Sequence, residues 1–190
     1  MLASLDVSDN SMGPKRFWKD HLTEVVVEGS GYELGMSLRH NKSLTNFNLA
    51  SNRLGEQTGD AFAQMMRKNT TLLRLNLKTN EILSDGGRYI SNSLSKKNTI
   101  TYLNLADNQL GSKAGMAMAR SLKDNHTLAH LDLSTNRMGY KAGQAFAIAM
   151  MHNTSLVSIN LTNNAFGPNV GKKWAGALAR NIGLTELNFR

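Results

Sequence analysis

Leu44, Leu72, Ile100, Leu128, Leu156 and Leu184 follow one another at intervals of 28 residues. The series is not confined to one position. Three residues on stand Phe47, Leu75, Leu103, Leu131, Ile159 and Leu187, and two further on stand Leu49, Leu77, Leu105, Leu133, Leu161 and Phe189. Asn52, Asn80, Asn108, Asn136 and Asn164 then close the segment. A period held at this many positions describes a repeated supersecondary unit, which buries its apolar face only against a copy of itself.

Within each unit, two apolar residues separated by one polar residue point the same way from a short strand. The asparagine that follows lies where the chain leaves the strand, and its amide can serve backbone groups of the turn and of the neighbouring unit. The second half of the unit reads as a helix. Gly-x-x-x-Gly steps at Gly55/Gly59, Gly111/Gly115, Gly139/Gly143 and Gly167/Gly171 lead into Ala61-Phe62-Ala63, Ala117-Met118-Ala119, Ala145-Phe146-Ala147 and Trp174-Ala175. These helices are expected to end near Asn41, Asn69, Asn125, Asn153 and Asn181, where asparagine would supply a left-handed stop.

The pattern L-x-x-L-x-L-x-x-N resembles the leucine-rich-repeat family, and the 28-residue unit with its alanine-rich helix is similar to the ribonuclease-inhibitor-type subfamily. The resemblance covers nearly the whole chain. It implies an α/β solenoid, a horseshoe with a concave parallel β-sheet and convex α-helices. Residues 1–190 would then form a single domain of about seven strand units.

An earlier strand at Leu2, Leu5, Val7 and Asn10 precedes Leu44 by 42 residues, so the first unit carries 14 extra residues. Aligning Gly31-Tyr32-Glu33-Leu34 with Gly59-Asp60-Ala61-Phe62 places this insertion at 14–30. It includes Phe17 and Trp18 beside basic residues, a combination suited to a protein partner and equally suited to covering the apolar edge of the first units. Both ends read as strands without a polar capping unit, which points to a fragment or to a subunit capped by its neighbours.

With 41% hydrophobic residues the chain can build a continuous core. Absence of Cys excludes disulfides, Cys-ligated zinc and a Cys nucleophile. No stretch approaches the roughly 18 apolar residues of a membrane span, and the N-terminus has no signal-peptide pattern. A soluble cytoplasmic protein is expected, with cytoskeletal or ciliary placement as narrower options. Asn-x-Ser/Thr triplets at Asn41, Asn69, Asn125 and Asn153 recur in phase with the repeat, which accounts for them without glycosylation.

Groups that could carry chemistry are few. His126 and His130 stand four apart but fall in a turn and a strand, not on one helix face. Gly167 to Lys173 departs from a phosphate loop in glycine spacing and lacks the Ser/Thr after Lys. Asp6 and Asp132 belong to distant units and cannot act as an acid-base pair. The chain therefore reads as no enzyme, with no cofactor and no metal.

Recognition is left to the surfaces. The 22 Lys and Arg against 14 Asp and Glu give a formal charge of +8, which favours a protein partner with an acidic surface, with nucleic acid ranking below it. On the concave face Arg74, Lys78, Tyr102 and His130 form the first candidate patch. Arg39, Arg67, Lys68, Lys96, Lys97, Lys123 and Arg180 form a candidate basic rim at the helix ends, although the helix dipole favours cations there without any partner. Met116, Ile148 and Met151 mark a possible apolar area on the convex side. The reading is an interaction or scaffold module, with a structural subunit of a large assembly (ciliary axoneme, cytoskeletal complex or ribonucleoprotein) and a regulator of a partner GTPase as alternatives.

Overall fold

The computed structural model describes residues 2–13, 15–18, 24–27, 29–95 and 98–189, with 15–18 and 24–27 followed along the backbone alone. In chain order come β1 (Ser4–Asp6), β2 (Lys15–Trp18), β3 (Glu24–Val27), α1 (Ser30–Leu38), β4 (Asn46–Asn48), α2 (Glu56–Lys68), β5 (Arg74–Asn76) and α3 (Leu83–Leu94). There follow β6 (Tyr102–Asn104), α4 (Gly111–Asp124), β7 (His130–Asp132), α5 (Gly139–Met150), β8 (Ser158–Asn160), α6 (Gly171–Leu178) and β9 (Glu186–Asn188). Strands β1, β4, β5, β6, β7, β8 and β9 pair in that order as one parallel sheet. Helices packed side by side need about twice the spacing of paired strands, so a stack with strands on one side and helices on the other bends toward the sheet.

The register follows the sequence period. Asn46 pairs with Arg74, Arg74 with Tyr102, Tyr102 with His130, His130 with Ser158 and Ser158 with Glu186. At the first junction Ser4 pairs with Asn46, and the intervening chain carries the antiparallel β2–β3 hairpin. The hairpin stem leaves at Gly13 and returns at Gly29. A Cβ on Gly13 would run into the Arg53 carbonyl, and one on Gly29 into the backbone of Met12 and Gly13, so the two glycines let the stem close tightly.

The core consists of columns repeated from unit to unit. Leu75, Leu103, Leu131 and Ile159 point inward from the strands, and Phe62, Ile90, Met118, Phe146 and Trp174 meet them from the helices, all at most 3% exposed. In the last unit the columns turn aromatic. Phe189 stacks on Phe166 at 5.4 Å between ring centroids and leans on Trp174 at the same distance.

Short strands leave most of each unit's backbone outside the ladder, and the strand-exit asparagines serve it. Asn108 Oδ1 accepts hydrogen bonds from the N–H of Asn80 (3.0 Å) and of Ile82 (3.2 Å) in the preceding unit. Its Nδ2 donates to the Leu77 carbonyl (2.8 Å), also in the preceding unit, and to Ala106 (3.0 Å) in its own. The same exchange recurs at Asn52, Asn80, Asn136 and Asn164, and all five side chains are fully buried. The backbone wraps around each of them with left-handed residues on both sides, such as Asp107 (φ 54°) and Gln109 (φ 55°) around Asn108.

The helix-end asparagines do not act as left-handed stops. Asn69 (φ −70°, ψ 140°) and Asn125 (φ −91°, ψ 129°) are extended. Their side chains explain why. Asn69 Nδ2 reaches back to the carbonyls of Leu38 (2.7 Å) and Asn41 (3.0 Å), while its Oδ1 accepts from the N–H of Thr71 (2.9 Å) and Leu72 (2.7 Å). Holding both sets requires the extended backbone. Asn153 and Asn181 repeat the arrangement, so these amides are occupied by protein carbonyls.

The two glycines of each Gly-x-x-x-Gly step do different work. Gly55, Gly111, Gly139 and Gly167 have φ between 67° and 77°, and the last three have nothing within 4 Å of a hypothetical Cβ. Leu83 occupies the same place in its unit at φ 55°. The second glycine sets helix spacing: a Cβ on Gly59 would collide with the Gly86 backbone, and one on Gly115 would lie 2.8 Å from Ala142 Cβ and 2.9 Å from Met138 Sδ.

Two outcomes follow from these contacts. Asn108→Ala leaves several buried backbone groups unpaired at about 1–3 kcal/mol each, so urea unfolding should show a loss of about 3 kcal/mol or more. The exposed Asn10→Ala should cost under about 1 kcal/mol. Gly111→Ala should cost about 1 kcal/mol from backbone strain alone, whereas Gly59→Ala should cost more, because the obstacle is main chain and cannot swing away.

Candidate functional site

Strand alternation that sends Leu75, Leu103 and Leu131 inward sends their neighbours outward onto the concave face. In the middle outward column the side chains are turned to local use. Asn76 Oδ1 accepts from the Lys78 N–H at 3.1 Å and Asn104 Oδ1 from the Ala106 N–H at 2.9 Å. Asp132 Oδ1 accepts from Ser134 N–H at 2.9 Å and from its hydroxyl at 2.7 Å. At the first strand Asp6 accepts from the Ser8 N–H (2.9 Å), the Ser8 hydroxyl (2.7 Å) and Asn48 Nδ2 (2.9 Å). The Ser8 backbone N–H foremost, then its hydroxyl and Asn48, hold the Asp6 carboxyl below its ordinary 3.8. This column fastens each strand exit.

The flanking column carries the candidate site. The Arg74 guanidinium lies over the Tyr102 ring, 4.0 Å from its centroid, and the Tyr102 and His130 rings are 6.4 Å apart and tilted by 43°. Strand pairing enforces this order, since the three residues are direct partners across β5, β6 and β7. Tyr102 separates two open grooves. One, of about 240 Å³, runs toward β1 and is lined by Arg74, Asn76, Asn46, Asn48 and Asp6 among others. The other, of about 270 Å³, runs toward β9 and is lined by His130, Asp132, Ser158, Asn160 and Glu186 among others.

Three of the four concave candidates thus come together. Lys78 lies past the end of β5, on the other side of the middle column, and lines neither groove. Two further residues, Ser158 and Glu186, continue the column and stand outside the candidates named from the sequence. Ser158 donates its hydroxyl to Glu186 at 2.8 Å, so the column runs from a cation at Arg74 to a carboxylate at Glu186. Their 28-residue phase with His130 was the signal.

Arg67, Lys68, Lys123 and Arg180 are exposed at or just past the ends of α2, α4 and α6. Arg39, after α1, is half-buried, and its Nε is buried with no hydrogen-bond partner among the described residues. Lys96, Lys97 and the side chains of Phe17 and Trp18 lie outside the described residues. Of the three apolar residues expected to mark the convex side, Ile148 is 46% exposed, while Met116 and Met151 are half-buried against the core. Among the described residues no three His, Asp or Glu gather as metal ligands, and no helix is long and apolar enough to cross a membrane.

Parallel strands paired at a 28-residue offset from β4 onward, a helix in each turn and buried asparagine ladders define a leucine-rich-repeat solenoid. Residues 31–142 match the sequence model of the TMOD/LMOD Leucine-rich domain, which is more than half of the chain, and the chain belongs to that family. Residues 152–169 match a Leucine Rich repeat. A solved structure described as "Leiomodin-1 Actin-Binding Site 2 (ABS2)" is similar in fold, with a TM-score of 0.52 at 19% identity over 94% of this chain and 80% of that chain. No curated protein matches the chain in sequence at a significant level.

Because the Asp6 carboxyl is held below its unfolded value, its contribution to stability is present above that value and fades as the pH falls through the folded one. A carbon-detected NMR titration should give an Asp6 midpoint below 3.8. Ser8→Ala, which removes the hydroxyl donor, should move the midpoint upward without restoring it fully, since the stronger Ser8 N–H donor remains.

Proposed function

We propose that this chain is a non-enzymatic protein-binding module of the cytoskeleton, and that its concave column from Arg74 through Tyr102 to His130 meets an acidic surface of the partner. The observation that carries the reading is the stacked Arg74–Tyr102 pair, with the guanidinium 4.0 Å from the ring centroid on an open, strand-fixed face. A guanidinium already ordered on an aromatic ring gives up little side-chain freedom on binding, and Arg and Tyr are the residue types that dominate interface energy.

Actin is the partner to try first. Membership of the TMOD/LMOD family and the likeness to a structure titled as an actin-binding site of leiomodin-1 support this choice. The chain's formal charge of +8 supports an acidic counterpart. In this reading Arg39, Arg67, Lys68, Lys96, Lys97, Lys123 and Arg180 form an outlying basic field that speeds encounter and makes it sensitive to salt. Lys78 contributes to the same field. Phe17 and Trp18, on the hairpin beside the first unit, add an apolar contact.

Purified chain should co-sediment with actin filaments or bind monomeric actin. Arg74→Ala combined with Tyr102→Ala should weaken that binding at least about tenfold, equivalent to about 1.4 kcal/mol. Lys78→Ala should change it less than about threefold and mainly reduce its salt dependence. Binding that survives the double substitution intact would remove the concave column from the interface, and failure of the unaltered chain to bind either form of actin would remove actin.

A further inference from the structure

The convex face carries a second basic feature, distinct from the concave column and from the helix-end rim. A groove of about 360 Å³ lies along the seam between α3 and α4, with Arg88 and Asn92 on one wall, Lys113 and Arg120 on the other, and Met116 and Ser121 between them. We infer that this groove is a docking site for an acidic segment of a protein partner, one that sets carboxylates against Arg88, Lys113 and Arg120 and an apolar side chain against Met116.

The repeat does not impose these cations. One unit earlier, the seam between α2 and α3 has Asp60, Gln64 and Asp85 where this one has Arg88, Asn92 and Lys113. One unit later, Arg88 and Arg120 give way to Met116 and Ile148, and a cation remains at the equivalent of Lys113 alone, as Lys141. Folding stability does not call for them either. Lys113 lies in the first turn of α4, where the helix dipole favours an anion, and that turn contains no acidic residue. Arg88 pairs with Asp85 at 3.3 Å in an open i,i+3 pair, with side chains 43% and 59% exposed, and lies 5.2 Å from the centroid of the exposed Tyr89 ring; such exposed pairs exchange partners at little cost. Arg120 donates its Nε to the Met116 carbonyl at 3.4 Å, which holds the guanidinium over the groove.

Three cations against one exposed carboxylate state the charge of the occupant. A protein segment is favoured over a bare phosphate group because the cations spread over two helices, with a methionine between them instead of converging on one point. It is favoured over a lipid surface because the site is a recess between helices.

The test uses the full chain and a fluorescein-labelled peptide rich in Glu with one central Leu, followed by fluorescence polarisation. The peptide should bind, weaken with salt, and lose at least about tenfold in affinity on Lys113→Glu with Arg120→Glu. The milder Lys113→Gln with Arg120→Gln should produce a smaller loss with an unchanged melting curve, which separates lost binding from lost fold. Arg74→Ala should leave peptide binding intact, and the convex substitutions should leave actin binding intact, so this site and the concave one fail separately. The inference is overturned if the peptide does not bind, if charge reversal leaves its binding unchanged, or if Arg74→Ala abolishes it. It is also overturned if Lys113 and Arg120 instead carry binding to phosphatidylcholine vesicles containing phosphatidylserine, which the peptide cannot displace.

Discussion

A carboxamide buried at a strand exit can accept from one unit and donate to another only if it offers both functions at a short, fixed reach. That dual use of asparagine is what the solenoid rests on. Each unit has only three residues in the sheet, so its remaining turns bring N–H and C=O groups into a dry interior that penalises every unpaired one. Aspartate would put a second acceptor, and a charge, against the Leu77 carbonyl where Asn108 places a donor, and glutamine would be too long for the turn. A second set at the helix exits, Asn69, Asn125, Asn153 and Asn181, does the same at the opposite corner. Two corners are thus fixed by amides, and the left-handed residue ahead of the helices from α2 onward, glycine in every unit but that of Leu83, gives the intervening chain the turn it needs.

What the sequence revealed and what it hid both follow from this arrangement. Strand register, core columns and the buried asparagine series were legible because each is a relation between residues 28 apart, which the period displays directly. The helix-end asparagines were misjudged because a local rule about helix stops was applied to residues whose side chains answer to the previous unit. Lys78 was grouped with Arg74 because both face the concave side of the same unit, yet the sheet's middle column divides them and Lys78 lines neither groove. The convex groove was invisible for a different reason: Arg88, Lys113 and Arg120 are not multiples of 28 apart, so they meet only across a seam between helices and never share a column.

Core and surface are separable in this architecture. Inward positions are bound by packing and by amide exchange, and change there is costly. Outward positions flanking the middle column carry little of the fold, which leaves a row such as Arg74, Tyr102, His130, Ser158 and Glu186 free to grade from cation to anion across neighbouring strands. A single chain can therefore present one charge pattern to its hollow and another to its back.

The amide exchange also has a direction. The Oδ1 of each strand-exit asparagine receives N–H groups from the unit before it: Asn80 serves Asn52 and Leu54, and Asn108 serves Asn80 and Ile82. A unit emerging from the ribosome lacks these acceptors until its successor has been made. Native closure of each turn must therefore trail synthesis by one repeat, and the most recently made unit is always the one whose main chain is still open to water and to chaperones.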